Sequence, residues 1–195
     1  MPAQPFPFQI KRGDNTKLSP HFLRSEFFSN SPDAPAQHPI YPQLVAAAEI
    51  LRTYFNTPWR ITSTYRTEAH ERRILASLKT PFFISQHMKG KAFDSQPANR
   101  NPAILATIAK DFIAGGELYQ KLRAAGITAF GLYDTFIHLD CRNDEFAAQR
   151  KDAFGFVAHW DSRTGVKKSW GGAFLAPNAT PRPLLAENQG AVLHS

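Results

Sequence analysis

The sequence predicts an α+β domain, a small antiparallel sheet with helices packed against it. Three observations carry that expectation. Apolar residues at 44, 45, 48, 50, 51, 54 and 55 follow the i, i+3/i+4, i+7 stripe of an amphipathic helix over 43–55. Two more helical stretches, 101–114 and 117–125, are separated by Gly115-Gly116 and closed by Gly126. Two strand-like runs, 127–133 and 135–142, are joined tightly near Asp134. With 195 residues the chain is long enough for one domain with a sizeable core and too short for two.

The elements follow in order. Residues 1–17 read as a polar, Pro-containing arm. Leu18, Phe22, Leu23, Phe27 and Phe28 sit near helical spacing, with Ser19 a candidate cap ahead of Pro20, so a short helix or turn is expected to press its Phe side chains on the domain. The stretch 29–42 reads as loop. After the 43–55 helix, Pro58 introduces a strand at 59–63. Thr67 caps a second helix that runs to about Leu78, with Glu68 and Glu71 favoured in its first turn. A strand then holds Ala92 and Asp94 on one face and Phe93 on the other. The stretch 153–160 offers a further strand, and 167–195 reads as a tail. The domain is thus expected over 18–160, between an arm at 1–17 and a tail at 161–195. Asn178-Ala179-Thr180 matches a glycosylation acceptor and is read as a turn.

Composition narrows the function. Hydrophobic residues are 43% and aromatics 12%, with 16 Phe, which fits a folded protein with a Phe-rich core. One cysteine, Cys141, excludes an internal disulfide framework and a cysteine zinc cage, and it is expected in the core. No export signal is legible near the start and no apolar run is long enough to span a membrane. The net charge of +7 suggests an anionic partner such as nucleic acid, a membrane surface or the bacterial cell wall. The basic residues are scattered rather than blocked, so no nucleic-acid partner is expected.

The chemistry concentrates in two stretches. Ser85-Gln86-His87-Met88-Lys89-Gly90-Lys91-Ala92-Phe93-Asp94 places an imidazole and a carboxylate either side of a glycine, and Phe136-Ile137-His138-Leu139-Asp140 adds a second imidazole in a β-run. His87, Asp94 and His138 would close three corners of a tetrahedron and leave the fourth for water, the composition of a catalytic zinc site. On a regular strand Asp134, Phe136, His138 and Asp140 share one face. Asp140 is then a candidate general base, or a carboxylate that orients His138. Asp134 is its rival if a bulge precedes the strand. His70-Glu71 fails as a His-Glu-x-x-His motif because Ile74 stands at the fifth position. His21, His38, His159 and His194 read as surface residues. No nucleophile elbow exists for a serine hydrolase.

Taken together, Ser63-x-Tyr65-Arg66, Ser85-x-His87-x-x-Gly90-x-Ala92-x-Asp94 and Gly131-x-Tyr133-x-x-Phe136-Ile137-His138-x-Asp140-x-Arg142 resemble the zinc D-Ala-D-Ala carboxypeptidase family of murein peptidases. The resemblance runs from Leu18 to Arg142. It implies a fold shared with the amino-terminal domain of hedgehog proteins, zinc on His87, Asp94 and His138, and Arg66 reading a substrate carboxylate or polarising the scissile carbonyl. It implies a monomer acting on peptidoglycan peptides. Without a legible signal peptide the expectation is synthesis in the cytoplasm and action on the wall after release, as in phage or prophage lysis or tail proteins. Two departures stand out. Many relatives carry an acid three residues before the last His ligand, where this chain has Thr135, and 79–83 replaces a Gly-rich link. Thr135 favours the competing reading, a catalytically silent zinc- or wall-binding module.

Overall fold

The computed structural model describes residues 6–142, 150–165 and 169–170. Most of the expected tail, with Asn178 and His194, lies outside the described residues. The α+β expectation holds: among the described residues four α-helices flank a seven-stranded sheet, with a two-stranded sheet beside it.

The small sheet is where the sequence misleads. Within the expected arm, Phe8–Lys11 is a strand, β1. It pairs antiparallel with β2, Gln37–Ile40, inside the expected loop. Pro39 is accommodated because β2 has a partner on one side only, where a missing N–H is tolerated. Ile10 and Ile40 are fully buried beneath it. Between them, the expected helix near Leu18 shrinks to a 3-10 turn at Arg24–Phe27. It is entered from Leu23 rather than Ser19, and Glu26 accepts the Leu23 N–H at 2.7 Å. The expected purpose survives, since Phe22 and Phe27 are buried edge to face.

Helix α1 spans Pro42–Tyr54, and its stripe of Leu44, Ala47, Ala48 and Leu51 is fully buried. Strand β3 spans Trp59–Ser63. Helix α2, Glu68–Ser77, begins as expected with the Thr67 hydroxyl accepting the His70 N–H at 3.2 Å. Strand β4 is Ala92–Pro97. Helix α3, Pro102–Ala114, is capped by Asn101 and ends at Gly115 in the left-handed region. Helix α4, Glu117–Ala124, starts with the Asp111 carboxylate accepting the Leu118 and Tyr119 N–H groups. Then come β5, Ala129–Leu132, and β6, Ile137–Asp140. The remaining strands are β7 at Arg150–Asp152, β8 at Gly155–Asp161 and β9 at Ser169–Trp170.

The large sheet has the order β3-β4-β6-β5-β8-β7, with β9 also on β8. It is not wholly antiparallel, because β8 runs parallel to β5. Strand β6 is paired on both sides by β4 and β5, and it is the open edge of β5 that β8 takes. Phe93, Phe112, Tyr119 and Phe130 fill the space between this sheet and helices α3 and α4, and burying each is worth about 1.5–3 kcal/mol.

The register positions the site. Ser63 lies opposite Asp94, Asp94 opposite His138, His138 opposite Gly131, and Gly131 opposite Trp160. Residues directly opposite one another project from the same face of a sheet. One row across five strands therefore carries two of the three candidate ligands and the residues that flank them. A register shift between Ile61 and Ser63 sets the β3 end of the row.

Candidate metal centre

His87 comes to this row from outside the sheet, on a 3-10 turn at His87–Lys89. Gly90 ends that turn at φ +69, and its N–H bonds the His87 carbonyl at 3.0 Å. A Cβ at Gly90 would lie 2.3 Å from the Pro39 carbonyl oxygen, so the glycine is also what lets the turn rest on β2.

His87 Nε2, His138 Nδ1 and Asp94 Oδ1 then converge. The two nitrogens are 3.2 Å apart, and the carboxylate oxygen is 3.3 Å from His87 and 2.8 Å from His138. All three residues are buried. Each imidazole has its other nitrogen engaged. His87 Nδ1 donates to the Thr64 carbonyl at 2.6 Å, and His138 Nε2 to Asp140 Oδ2 at 3.1 Å. Both of those acceptors take a proton and have none to give, so when the rings are neutral the nitrogens facing Asp94 carry the lone pairs.

Two lone pairs and a carboxylate oxygen so close together repel unless a cation lies between them. A tetrahedral ion with bonds of about 2.0–2.1 Å sets its donors about 3.3 Å apart, close to the triangle found here. The donor set of two imidazoles and one carboxylate, each fixed from behind, therefore fits a small divalent metal such as zinc.

Electrostatics agree with the geometry at Asp94 and His87. Burial pushes the Asp94 carboxyl upward, but His87 and His138 outweigh it and hold the group far below the usual carboxylate range. Burial lowers His87, keeping it neutral and able to ligate. His138 is also pushed down by burial, yet its hydrogen bonds to Asp140 and Asp94 carry it above the ordinary histidine value.

Of the three candidate catalytic residues, Asp140 stands in the second of its two expected places, orienting His138, while Asp134 and Arg66 are placed differently from expectation. Asp140 is fully buried behind His138. It binds His138 Nε2 with one oxygen and is clamped by Arg142, whose Nε lies 2.8 Å from Oδ1 and whose Nη2 bonds Oδ2. Burial opposes its ionisation, but Arg142 and His138 hold it well below the carboxylate range, so it orients the ligand and is a poor proton acceptor. Asp134 is exposed in the β5–β6 turn, where its oxygens accept the Thr164 N–H and hydroxyl. No bulge turns it inward, and neither Asp140 nor Asp134 lines the cavity beside the ligands. Arg66 does line it, but its fork is turned on protein groups. Nε donates to Ser63 Oγ at 3.0 Å, Nη1 to Glu71 at 3.3 Å and Nη2 to Asp94 Oδ2 at 2.5 Å. Arg66 thus holds Asp94 with Oδ1 toward the imidazoles, rather than standing open as a carboxylate reader.

The cavity over the triad has a volume of about 680 Å³. One wall is Ile74, Leu75, Phe83 and Ile84, so the 79–83 stretch does shape the groove. The other wall is Tyr133, Phe136 and Trp160.

A profile of the family described as Peptidase M15 matches residues 20–140, more than half of the chain. The chain belongs to the peptidase M15 family. Among solved structures, the crystal structure of the Serratia marcescens L-Ala D-Glu endopeptidase ChiX is similar at 20% identity and a TM-score of 0.32. That similarity covers 45% of this chain and 62% of that one, less than two thirds of its length. A search of curated proteins returns no match. This M15 family member extends past the family match through β7, β8 and β9, and β8 carries Trp160 into the site.

Sequence reasoning missed two contributors. Glu71 is 2% exposed and is, with Asp94, a carboxylate lining the cavity among the described residues. Its signal was weak, an acid in a helical first turn four residues before the buried Leu75. Trp160 carried no signal beyond its place in a candidate strand. His38 and His159, expected on the surface, are buried because β2 and β8 are strands packed on the domain. Cys141 is the core residue expected, its thiol pushed up to about 12 by burial, which leaves it unreactive. Among the described residues no helix is long and apolar enough to cross a membrane.

Proposed function

We propose that this M15 peptidase is a zinc enzyme that hydrolyses a peptide bond beside a D-alanine in peptidoglycan stem peptides, as a carboxypeptidase or a murein endopeptidase. The observation that carries the reading is the His87, Asp94 and His138 triad, whose three donor atoms converge and whose residues line a cavity of about 680 Å³. When bound, zinc supplies Lewis acidity toward the attacking water and the scissile carbonyl. The chain's own residues do the rest. The Thr64 carbonyl and Asp140 fix the two imidazoles, and Arg66 fixes Asp94. Glu71, in the absence of an acid at position 135, takes the water proton on its carboxylate and returns it to the departing amine. The aromatic and aliphatic walls hold the peptide and exclude bulk water. The charge of +7 favours residence on an anionic wall, which salt would weaken.

Purified zinc-loaded protein incubated with muropeptides and followed by mass detection tests this. Loss of a terminal D-alanine identifies a carboxypeptidase, and scission within a stem or cross-link identifies an endopeptidase. If no bond is cut in several murein chemotypes while zinc is retained, the protein is a silent binding module.

A further inference from the structure

The phenol of Tyr133 is built into the cavity wall in a way that a mere wall does not need. Its oxygen accepts a hydrogen bond from Trp160 Nε1 at 3.0 Å, and the Ser162 side chain stands near it. Indole Nε1–H can only donate, so this bond leaves the phenol's own proton to be given to another acceptor. The ring cannot swing away, because it is stacked on Phe136 at 4.2 Å between centroids and 12° between planes, and the Tyr133 N–H bonds the Phe136 carbonyl at 3.1 Å. The indole is fixed in turn. It packs against the His138 ring at 5.1 Å and lies over Gly131, where a Cβ would come within 2.6 Å of it. Tyr133 lines the same cavity as His87, Asp94, His138 and Arg66, and the charges of Asp94 and Arg66 are felt at its hydroxyl.

Resting on the peptidase reading above, we propose that Tyr133 is a catalytic residue whose hydroxyl donates a hydrogen bond to the scissile carbonyl oxygen as negative charge develops there, with Trp160 as its positioning residue. Such a donor serves best when its orientation is set before the reaction, which is what the indole, the Phe136 stack and Gly131 provide. Burial, with the negative Asp94 nearby, raises the phenol pKa, so the proton is present at neutral pH. Trp160 lies beyond the region matched by the family, so the support for this donor comes from a part of the chain outside that match.

Tyr133→Phe removes the hydroxyl and keeps the stack. Expected is a fall in kcat of roughly 10²–10³-fold, as for other lost oxyanion donors, with KM and zinc content little changed. Calorimetry supplies a readout that needs no turnover. A phosphinate isostere of the bond cut by the wild type should bind Tyr133→Phe more weakly by a comparable factor, while the cleavage product binds both proteins alike. Trp160→Phe, lacking Nε1, should lower kcat by a smaller factor of the same sign. Wild-type kcat and phosphinate affinity in Tyr133→Phe would overturn the assignment and leave the peptidase reading standing. A wild type that cuts no muropeptide overturns the reading on which it rests.

Discussion

Replacing Asp140 by Asn separates the two carboxylates that the sequence offered as bases, because the structure gives them different work. The Asp140 carboxylate is fully buried, accepts from His138 Nε2 at 3.1 Å, and meets the Arg142 guanidinium through both oxygens. Removing one partner of a buried ion pair costs about 3–5 kcal/mol, and because the Arg142 side chain keeps 20% exposure we expect the low end, about 3 kcal/mol. An Asn amide can also donate to Nε2, which moves the His138 proton to Nδ1 and spoils the ligating lone pair. Loss of such an orienting partner lowers metal affinity roughly 10–100-fold. Asp134→Asn, at an exposed turn, should leave zinc affinity unchanged and cost less than about 1 kcal/mol. Chelator competition gives the affinities and urea unfolding of the metal-free proteins gives the stabilities. The Asp140 pKa is depressed in the fold, so its stabilisation is present above the unfolded value near 3.9 and is lost as pH falls toward the folded value. The difference between wild type and Asp140→Asn should therefore narrow in acid. Wild-type zinc affinity in Asp140→Asn would refute the orienting role.

Three further outcomes follow from the geometry. Gly90→Ala must hold a left-handed residue, about 1–2 kcal/mol, and relieve a contact with the Pro39 carbonyl, about 1–3 kcal/mol, so it should unfold about 2–5 kcal/mol more easily and bind metal poorly, both measurable by urea unfolding and zinc titration. His38 is held below the ordinary histidine pKa by burial, and its Nε2 accepts the Ser29 N–H at 2.9 Å. Its contribution is full above the unfolded value of about 6.5 and is lost as pH falls below it, so His38→Phe should flatten the stability profile between about pH 6.5 and 5. Glu71→Gln keeps an acceptor for Arg66 and removes the proton carrier, so kcat should fall roughly 10²–10⁴-fold with zinc retained, and an unchanged kcat would move the proton transfer elsewhere.

The parts of this chain that were legible in sequence are those where local chemistry and tertiary context agree. The α1 stripe, the Thr67 cap and the Trp59–Ser63 strand were readable because burial, capping and β-branching each repeat the answer given by the neighbours. The triad was readable because its ligands sit in dense motifs. What could not be read depends on long-range pairing. Strands β1 and β2 are four residues each, and neither has an alternating pattern that stands without the other. Which face of its strand Asp134 takes, and whether Arg66 meets a substrate or Asp94, are set by the β5–β6 turn and by the Ser63–Asp94 register. Glu71 and Trp160 reach the cavity from a helix and from a strand beyond β5, a juxtaposition no spacing records.

The central claim is that His87, Asp94 and His138 together hold one zinc ion. Zinc content by elemental mass spectrometry on wild type and on His87→Ala, Asp94→Ala and His138→Ala tests it most directly, with folding of each variant checked by circular dichroism. The account predicts one zinc per wild-type chain and loss of most of it in each folded variant. Stoichiometric zinc kept by both His87→Ala and His138→Ala would contradict it.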